Sequence, residues 1–268
     1  MLDLAIIGSG PAALSAAIYA ARAGLTVKVY EKAKIGGALT EIVNIENFPG
    51  FIGSGNELAE KLKKQAKLAG AEIIYGECTS VEPLVIDDEE VSARAIIVAT
   101  GSEPKPLSFT IKPPVSYCAL CDGPLYKGKN IAVIGGGNSA ASESLYLADL
   151  AKKVTLISHT AIRADHCFVE KLHAKENIEI KENLEPTPEL LNQFDAVFVF
   201  IGKRPASSFM PKSSLTPAGY IKSEGNATTI KGVFVAGDIR EGSTKQAITA
   251  AADGAAAALS VISYLRQP

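Results

Sequence analysis

Residues 2–13 read Leu2-Asp3-Leu4-Ala5-Ile6-Ile7-Gly8-Ser9-Gly10-Pro11-Ala12-Ala13: an apolar run, a glycine-rich turn and the start of an alanine-rich segment. The run Leu2 to Ile7 predicts a buried strand, and Pro11 to Ala23 predicts a helix. Between them Gly8, Gly10 and Ala13 have the G-x-G-x-x-A spacing. The first glycine permits a tight turn and the second lets backbone approach a pyrophosphate. The helix N-terminus adds free N–H donors and the positive end of its dipole. Leu25 to Tyr30 predicts the next strand of a βαβ unit. Glu31 then stands 23 residues after Gly8, where a ribose-binding acid is expected. This unit is built to hold a dinucleotide.

The same pattern returns 127 residues later. A strand (Asn130 to Ile134) leads through Gly135-Gly136-Gly137 into a helix (Asn138 to Leu150) and a second strand (Lys153 to Ile157). Asn138, Ser139 and Ala140 complete the spacing, so the chain carries two copies of one nucleotide-binding module. The position equivalent to Glu31 is Ser158, flanked by His159 and Arg163. The second turn accepts a dinucleotide by shape without declaring which one, and a vestigial module kept for its geometry is the alternative reading. Ala95 to Gly101 and Ala196 to Gly202 are the apolar strands that close the copies. A third such strand, Gly232 to Asp238, leads into an alanine-rich helix over Thr244 to Leu265.

Proline-containing segments at Lys105 to Pro114 and Arg204 to Pro217 read as connectors around an inserted domain. The expected fold is α/β, with two Rossmann-like, three-layer ββα nucleotide-binding domains, the second inserted into the first. The expected domains are 1–107 with 209–268, and 108–208. The short stretches Glu82 to Val91 and Glu182 to Gln193 predict trimmed β-hairpins in both modules.

Composition narrows the function. With 27 Lys and Arg against 29 Asp and Glu, the net charge is -2, which removes the basic surface that sequence-independent nucleic-acid binding needs. The apolar stretch Leu4 to Val29 is broken by Gly8, Gly10, Pro11 and Gly24, leaving a helix too short for a bilayer that needs about 20 residues. A soluble, cytoplasmic protein without membrane or nucleic-acid partners is expected. Of four cysteines, only Cys118 and Cys121 have chemistry-like spacing, in Cys118-Ala119-Leu120-Cys121-Asp122. Two such thiols can close a small disulfide ring, and the adjacent carboxyl can shuttle a proton. A zinc site needs four ligands, and no second C-x-x-C exists, so no metal is expected. Cys78 and Cys167 read as a buried small hydrophobe and a loop thiol. His159, His166 and His173 read as surface residues.

Taken with Gly36-Gly37-Ala38-Leu39, Glu46-Asn47-Phe48-Pro49-Gly50, Tyr117 to Gly123, and Gly237-Asp238 followed by Lys245-Gln246-Ala247, these motifs resemble the low-molecular-weight thioredoxin reductases nearly end to end. These belong to the FAD-dependent pyridine nucleotide-disulfide oxidoreductases. The resemblance implies FAD on the outer domain, a pyridine nucleotide on the inserted one, a homodimer, and a redox disulfide serving thioredoxin or a similar small disulfide protein.

For FAD it implies Gly8, Ser9, Gly10, Pro11, Ala12, Ala13, Glu31 and Lys32 at the pyrophosphate and ribose. It implies Gly37, Ala38, Leu39 and Asn47 along the flavin, and Val81, Thr100 and Gly101 beside the cofactor. Gly237 and Asp238 would meet the ribityl or pyrophosphate portion, and Lys245, Gln246 and Ala247 the isoalloxazine. For NAD(P) it implies Gly135, Gly137, Asn138, Ser139, His159, Arg163 and Gly202. By the same resemblance Cys121 faces the flavin, Cys118 attacks the substrate disulfide, and Asp122 gives and takes the proton. The family's paired arginines fall where this chain reads Ser158-His159-Thr160-Ala161. NADPH, NADH and ferredoxin therefore stay open as donors. A non-enzymatic flavin redox sensor is the remaining alternative.

Overall fold

The computed structural model describes residues 2–266. These divide into two compact units, one made of residues up to 103 together with those from 205 on, the other of residues 104–204. The cuts fall before the expected 107/108 and 208/209. The expected connectors Lys105 to Pro114 and Arg204 to Pro217 lie largely within the units, and the chain crosses over at 103/104 and 204/205.

In the first unit the strands are β1 (Leu2–Ile7), β2 (Val27–Glu31), the hairpin β3 (Ile45–Phe48) and β4 (Phe51–Gly53), β5 (Glu72–Tyr75), β6 (Cys78–Val81), β7 (Leu84–Ile86), β8 (Glu89–Glu90) and β9 (Ala93–Val98). The helices α1 (Pro11–Arg22) and α2 (Gly55–Leu68) alternate with them. β10 (Ser102–Pro104) leads out of this unit. In the second unit β11 (Val115–Ser116) and the short α3 (Ala119–Asp122) precede β12 (Asn130–Ile134), α4 (Asn138–Ala148), β13 (Lys153–Ile157), α5 (His166–Ala174), β14 (Ile178–Lys181), α6 (Pro188–Leu191) and β15 (Ala196–Val199). β16 (Lys203–Pro205) leads back to the first unit, which ends with β17 (Ser223–Glu224), β18 (Ala227–Thr228), β19 (Val233–Val235) and α7 (Ala247–Arg266).

The first unit is a seven-stranded sheet in the order β17-β18-β19-β9-β1-β2-β5, and its five strands from β19 to β5 run parallel. Both faces of a parallel sheet must be covered, which is why β1 is apolar at nearly every position. Alternation then sorts the side chains. Leu4 and Ile6 face α1 and α7, while Ala5 and Ile7 join Cys78, Val81 and Ile86 of the three-stranded sheet β6-β7-β8 on the opposite face. That is a ββα stack. α7 is long and apolar enough to cross a membrane by length and composition, yet it buries Ala250, Gly254, Ala257 and Val261 in this core. A Cβ on Gly254 would lie 1.9 Å from the Ala12 carbonyl oxygen, so only glycine lets the two helices approach this closely. The helix starts at Ala247, not at the expected Thr244, because Lys245 holds a left-handed φ of 58° that a helix cannot contain.

The second unit is a parallel five-stranded sheet in the order β11-β15-β12-β13-β14. Ile131 and Val133 pack with residues of α4 and α5, and Ala132 and Ile134 face the other way onto Leu107, Phe109, Leu184 and Leu191. The β-hairpin expected over Glu182 to Gln193 is not there. Thr187 caps a helical turn by accepting from the Leu190 N–H at 3.3 Å, and Pro188 suits its first position. The turn drops Leu190 and Leu191 onto the sheet. In the first unit the hairpin over Glu82 to Val91 does form, as β7 and β8.

Candidate active site

The first glycine turn sits between β1 and α1. Gly8 has φ of 99°, and a Cβ there would come within 2.5 Å of the Ala99 carbonyl oxygen, so the turn depends on glycine. Gly10 is the N-cap of α1, with open space on the side where a Cβ would project and no side chain capping the helix. The N–H groups of the first turn are thus left for an external acceptor. Ser9 lies beneath the turn, 1 % exposed. Its Oγ donates to Glu31 Oε2 at 2.6 Å and accepts from the Gly36 N–H at 3.1 Å. Glu31 Oε1 accepts from the Ala33 N–H at 2.9 Å. Turn, strand end and the Gly36-Gly37 segment are therefore one bonded unit.

Other expected residues join it from distant parts of the sequence. A Cβ on Gly37 would sit 3.2 Å from the Gly10 Cα, which places the segment carrying Ala38 and Leu39 against the turn. Thr100 and Gly101 follow β9, and Thr100 Oγ1 donates to the Ala206 carbonyl at 2.8 Å. Gly237 and Asp238 follow β19, where a Cβ on Gly237 would meet the Ala12 Cβ at 2.9 Å. Asn47 Nδ2 donates to Gln246 Oε1 at 3.2 Å, joining the β3 strand to the residues just before α7, across 199 positions of sequence. Lys245 bonds the Tyr220 hydroxyl.

Two expected residues stand apart. The Val81 side chain is buried in the core beneath β6, so only its backbone could face a ligand. Lys32 is exposed and lies 3.6 Å from Glu77. The open helix terminus, the acid at the end of β2 and the glycine close approach fit a dinucleotide such as FAD.

A group of residues that the motifs did not reveal supports the Gly237-Asp238 turn. Asp253 Oδ2 accepts from the Gly237 N–H at 2.8 Å and from Arg240 Nε at 2.9 Å, while Asp253 Oδ1 accepts from Asn226 Nδ2 at 3.0 Å. Arg240 and Asp253 are mostly buried, and the salt bridge clamps the turn to α7.

On the second unit Gly135 repeats Gly8. A Cβ there would meet the Phe200 carbonyl oxygen at 2.4 Å, and Gly137 caps α4 with open space beside it. The neighbourhood differs from the first. Asn138 Nδ2 donates to Asp165 Oδ2 at 2.8 Å, and the Arg163 N–H donates to the Gly136 carbonyl at 2.6 Å, so the loop after β13 folds back onto the turn. Ser158 is 2 % exposed, and a Cβ on Gly136 would lie 2.5 Å from its Oγ, which has no hydrogen-bond partner among the described residues. Ser139, His159 and Arg163 are all exposed, and of the three Arg163 is tied to the turn, through its backbone N–H. Gly202 accepts from the Lys105 N–H at 3.0 Å. The turn and helix terminus fit a pyrophosphate, and the ribose end offers a neutral hydroxyl where the first unit offers a carboxylate.

Cys118 and Cys121 form a disulfide at the start of α3. The Cys121 N–H points to Cys118 Sγ at 3.1 Å, an arrangement that favours a thiolate there once the bond is reduced. Cys121 is exposed on this unit and Cys118 half-buried. Asp122 bonds Ser116 at 2.7 Å. Among the described residues no group of His, Cys, Asp and Glu could hold a metal ion. Cys78 is buried, and burial pushes its thiol up to about 11. Cys167 lies on α5, not in the expected loop, and is exposed.

The family model for pyridine nucleotide-disulphide oxidoreductases matches residues 2–254, and the chain belongs to that family. Within it, the chain is 35% identical to a thioredoxin reductase of Bacillus subtilis, covering 99% of this chain and 95% of that protein. It is 37% identical to a thioredoxin reductase of Peptoclostridium acidaminophilum, covering 98% and 96%. A solved Lactococcus lactis thioredoxin reductase superposes with a TM-score of 0.90 at 29% identity, over 99% of both chains. The protein is a thioredoxin reductase-like flavoenzyme, an FAD-dependent oxidoreductase.

Proposed function

We propose that the chain passes two electrons from a reduced pyridine nucleotide, through FAD and the Cys118–Cys121 disulfide, to thioredoxin or a similar small disulfide protein. The observation that carries this is the disulfide, closed beside an acid at a helix start and on the same unit as the second glycine turn. A redox sensor has no need of an acid-flanked dithiol, and the relatives named above are thioredoxin reductases.

The residues divide the work. Gly8, Gly10, Glu31 and Asp238 would hold FAD, which when bound supplies two-electron chemistry between a nicotinamide and a disulfide. Gly135, Gly137 and Ser158 would hold the donor nucleotide. After reduction the Cys118 thiolate attacks the partner's disulfide, and Asp122 handles the proton. Ferredoxin is the competing donor, favoured by the absence of paired arginines around Ser158 and His159.

Anaerobic titration of the flavin absorbance with NADPH, NADH and reduced ferredoxin, in wild type and Cys118→Ser, tests the reading. Bleaching by a pyridine nucleotide in both proteins, with thioredoxin reduction lost only in the variant, supports it. Bleaching by ferredoxin alone replaces the donor. Wild-type flavin that is reduced but never passes electrons to thioredoxin rejects the reading.

A further inference from the structure

A buried polar side chain that belongs to neither glycine turn bonds both Asp122 and the Cys118 backbone. Ser116 ends β11, two residues before Cys118, and is 5 % exposed. Its Oγ lies 2.7 Å from Asp122 Oδ2 and 3.2 Å from the Cys118 carbonyl oxygen, and it accepts from the Cys118 N–H at 3.1 Å. A serine hydroxyl has one proton to give. The Cys118 amide occupies an acceptor direction, so that proton goes either to Asp122 or to the Cys118 carbonyl. Against an ionised carboxylate the short bond to Asp122 is the stronger. Once Asp122 carries a proton it can donate to Ser116, whose own proton then turns to the Cys118 carbonyl. The hydroxyl reverses with the charge on Asp122 and leaves no buried group orphaned in either state.

We propose that Ser116 is the positioning residue of the dithiol. It ties the proton carrier Asp122 to the backbone of the attacking cysteine, so that Cys118 keeps its place while Asp122 changes charge. The proposal rests on the reading that Cys118 and Cys121 exchange with an external disulfide. In the first step, with the Cys118 proton already taken by Asp122, a bond forms between the Cys118 thiolate and one sulfur of that disulfide. The external S–S bond breaks, and the leaving sulfur takes the proton of the Asp122 carboxyl. In the second step Asp122 takes the Cys121 proton, and Cys121 Sγ bonds to Cys118 Sγ. The second external sulfur leaves as a thiolate. Two electrons pass to the external pair, and Asp122 ends as it began, protonated.

The test uses the flavin-loaded enzyme, reduced anaerobically with excess dithiol, desalted, mixed with a dialkyl disulfide whose leaving thiol needs a proton, and acid-quenched at intervals so that mass spectrometry counts the released thiol. Wild type, Ser116→Ala, Ser116→Thr, Asp122→Asn and the Ser116→Ala/Asp122→Asn double variant are compared. Loss of the Ser116 hydroxyl should slow exchange about tenfold, the worth of one hydrogen bond to a charged group, and threonine should restore it. In the Asp122→Asn background the second substitution should slow exchange by less than about twofold, because residues acting through one bond are not additive. A purely structural serine would slow both backgrounds equally, and that result overturns the proposal. So does wild-type exchange in Ser116→Ala, or failure of threonine to restore it. Wild-type dithiol that does not exchange at all rejects the exchange reading itself, a different result from any of these.

Discussion

Ser9 Oγ donates to Glu31 Oε2 across 2.6 Å, beneath the turn that joins β1 to α1. This bond aims the acid before any ligand arrives, and the same hydroxyl accepts from Gly36. Ser9→Ala should therefore weaken FAD binding about three- to tenfold, the range for one ordinary hydrogen bond, because the loss reaches the ligand only through Glu31. Fluorescence titration of the apoprotein with FAD measures it. Unchanged affinity would mean that Glu31 is held by Ala33 alone.

The clamp at Asp253 makes a second prediction. Asp253→Ala leaves the Gly237 N–H and the Arg240 guanidinium unpaired, and should destabilise the protein by about 3 kcal/mol in denaturant melts. FAD affinity should fall with it, because the turn that presents Asp238 loses its tether. Arg240→Lys keeps the charge but loses the fixed fork, and should lie between wild type and Asp253→Ala.

Acid stability depends on Asp3. The hydroxyl and backbone N–H of Thr26 and the guanidinium of Arg94 hold its carboxyl at about 2, below the ordinary 3.8. The unfolded chain binds this proton more readily, so the contribution is complete above about pH 4 and is lost as the pH falls toward about 2. Asp3→Asn should lower the melting temperature slightly at neutral pH, the site being near the surface, and should flatten the acid limb of the stability curve. Thermal melts across that range check it. An acid limb as steep as that of wild type would exclude Asp3 as its source.

Cysteine reactivity should follow burial. With the Cys118–Cys121 bond closed, iodoacetamide at mildly alkaline pH should label Cys167 and leave Cys78 untouched until the chain is unfolded, since burial raises the Cys78 thiol to about 11. Peptide mapping by mass spectrometry reads the result. Equal labelling of both in the folded protein would show that the β6-β7-β8 layer opens readily.

Much of this was legible in the sequence because it is local. Gly8, Gly10, Gly135 and Cys118–Cys121 announce themselves by spacing, since a turn or a small ring fixes which residue types can stand a few positions apart. Ser116, Asn226, Arg240 and Asp253 do not. Each is an ordinary polar residue whose meaning comes from a partner that the fold brings to it, as when Asp253 reaches back 16 residues to the Gly237 N–H. Asn47 and Gln246 were expected near the same cofactor through the family resemblance, but nothing local shows that they touch. Over Glu182 to Gln193 the expectation of a hairpin passed over a helical signal, Thr187-Pro188-Glu189, which the structure uses as a cap. Ser158 reads in the sequence as a missing acid. Its burial against Gly136 could be seen only once the loop after β13 was in place.

In the proposed cycle Cys118 attacks a partner's disulfide and Cys121 resolves the adduct. Cys121→Ser, in which Cys118 has lost its resolving partner, is mixed with a thioredoxin that keeps one cysteine of its pair, carried as a mixed disulfide with a small aromatic thiol, and analysed by intact mass and peptide mapping. One covalent adduct per chain is expected, through Cys118, and none with Cys118→Ser. An adduct carried by Cys167, or formed equally well by Cys118→Ser, would contradict it.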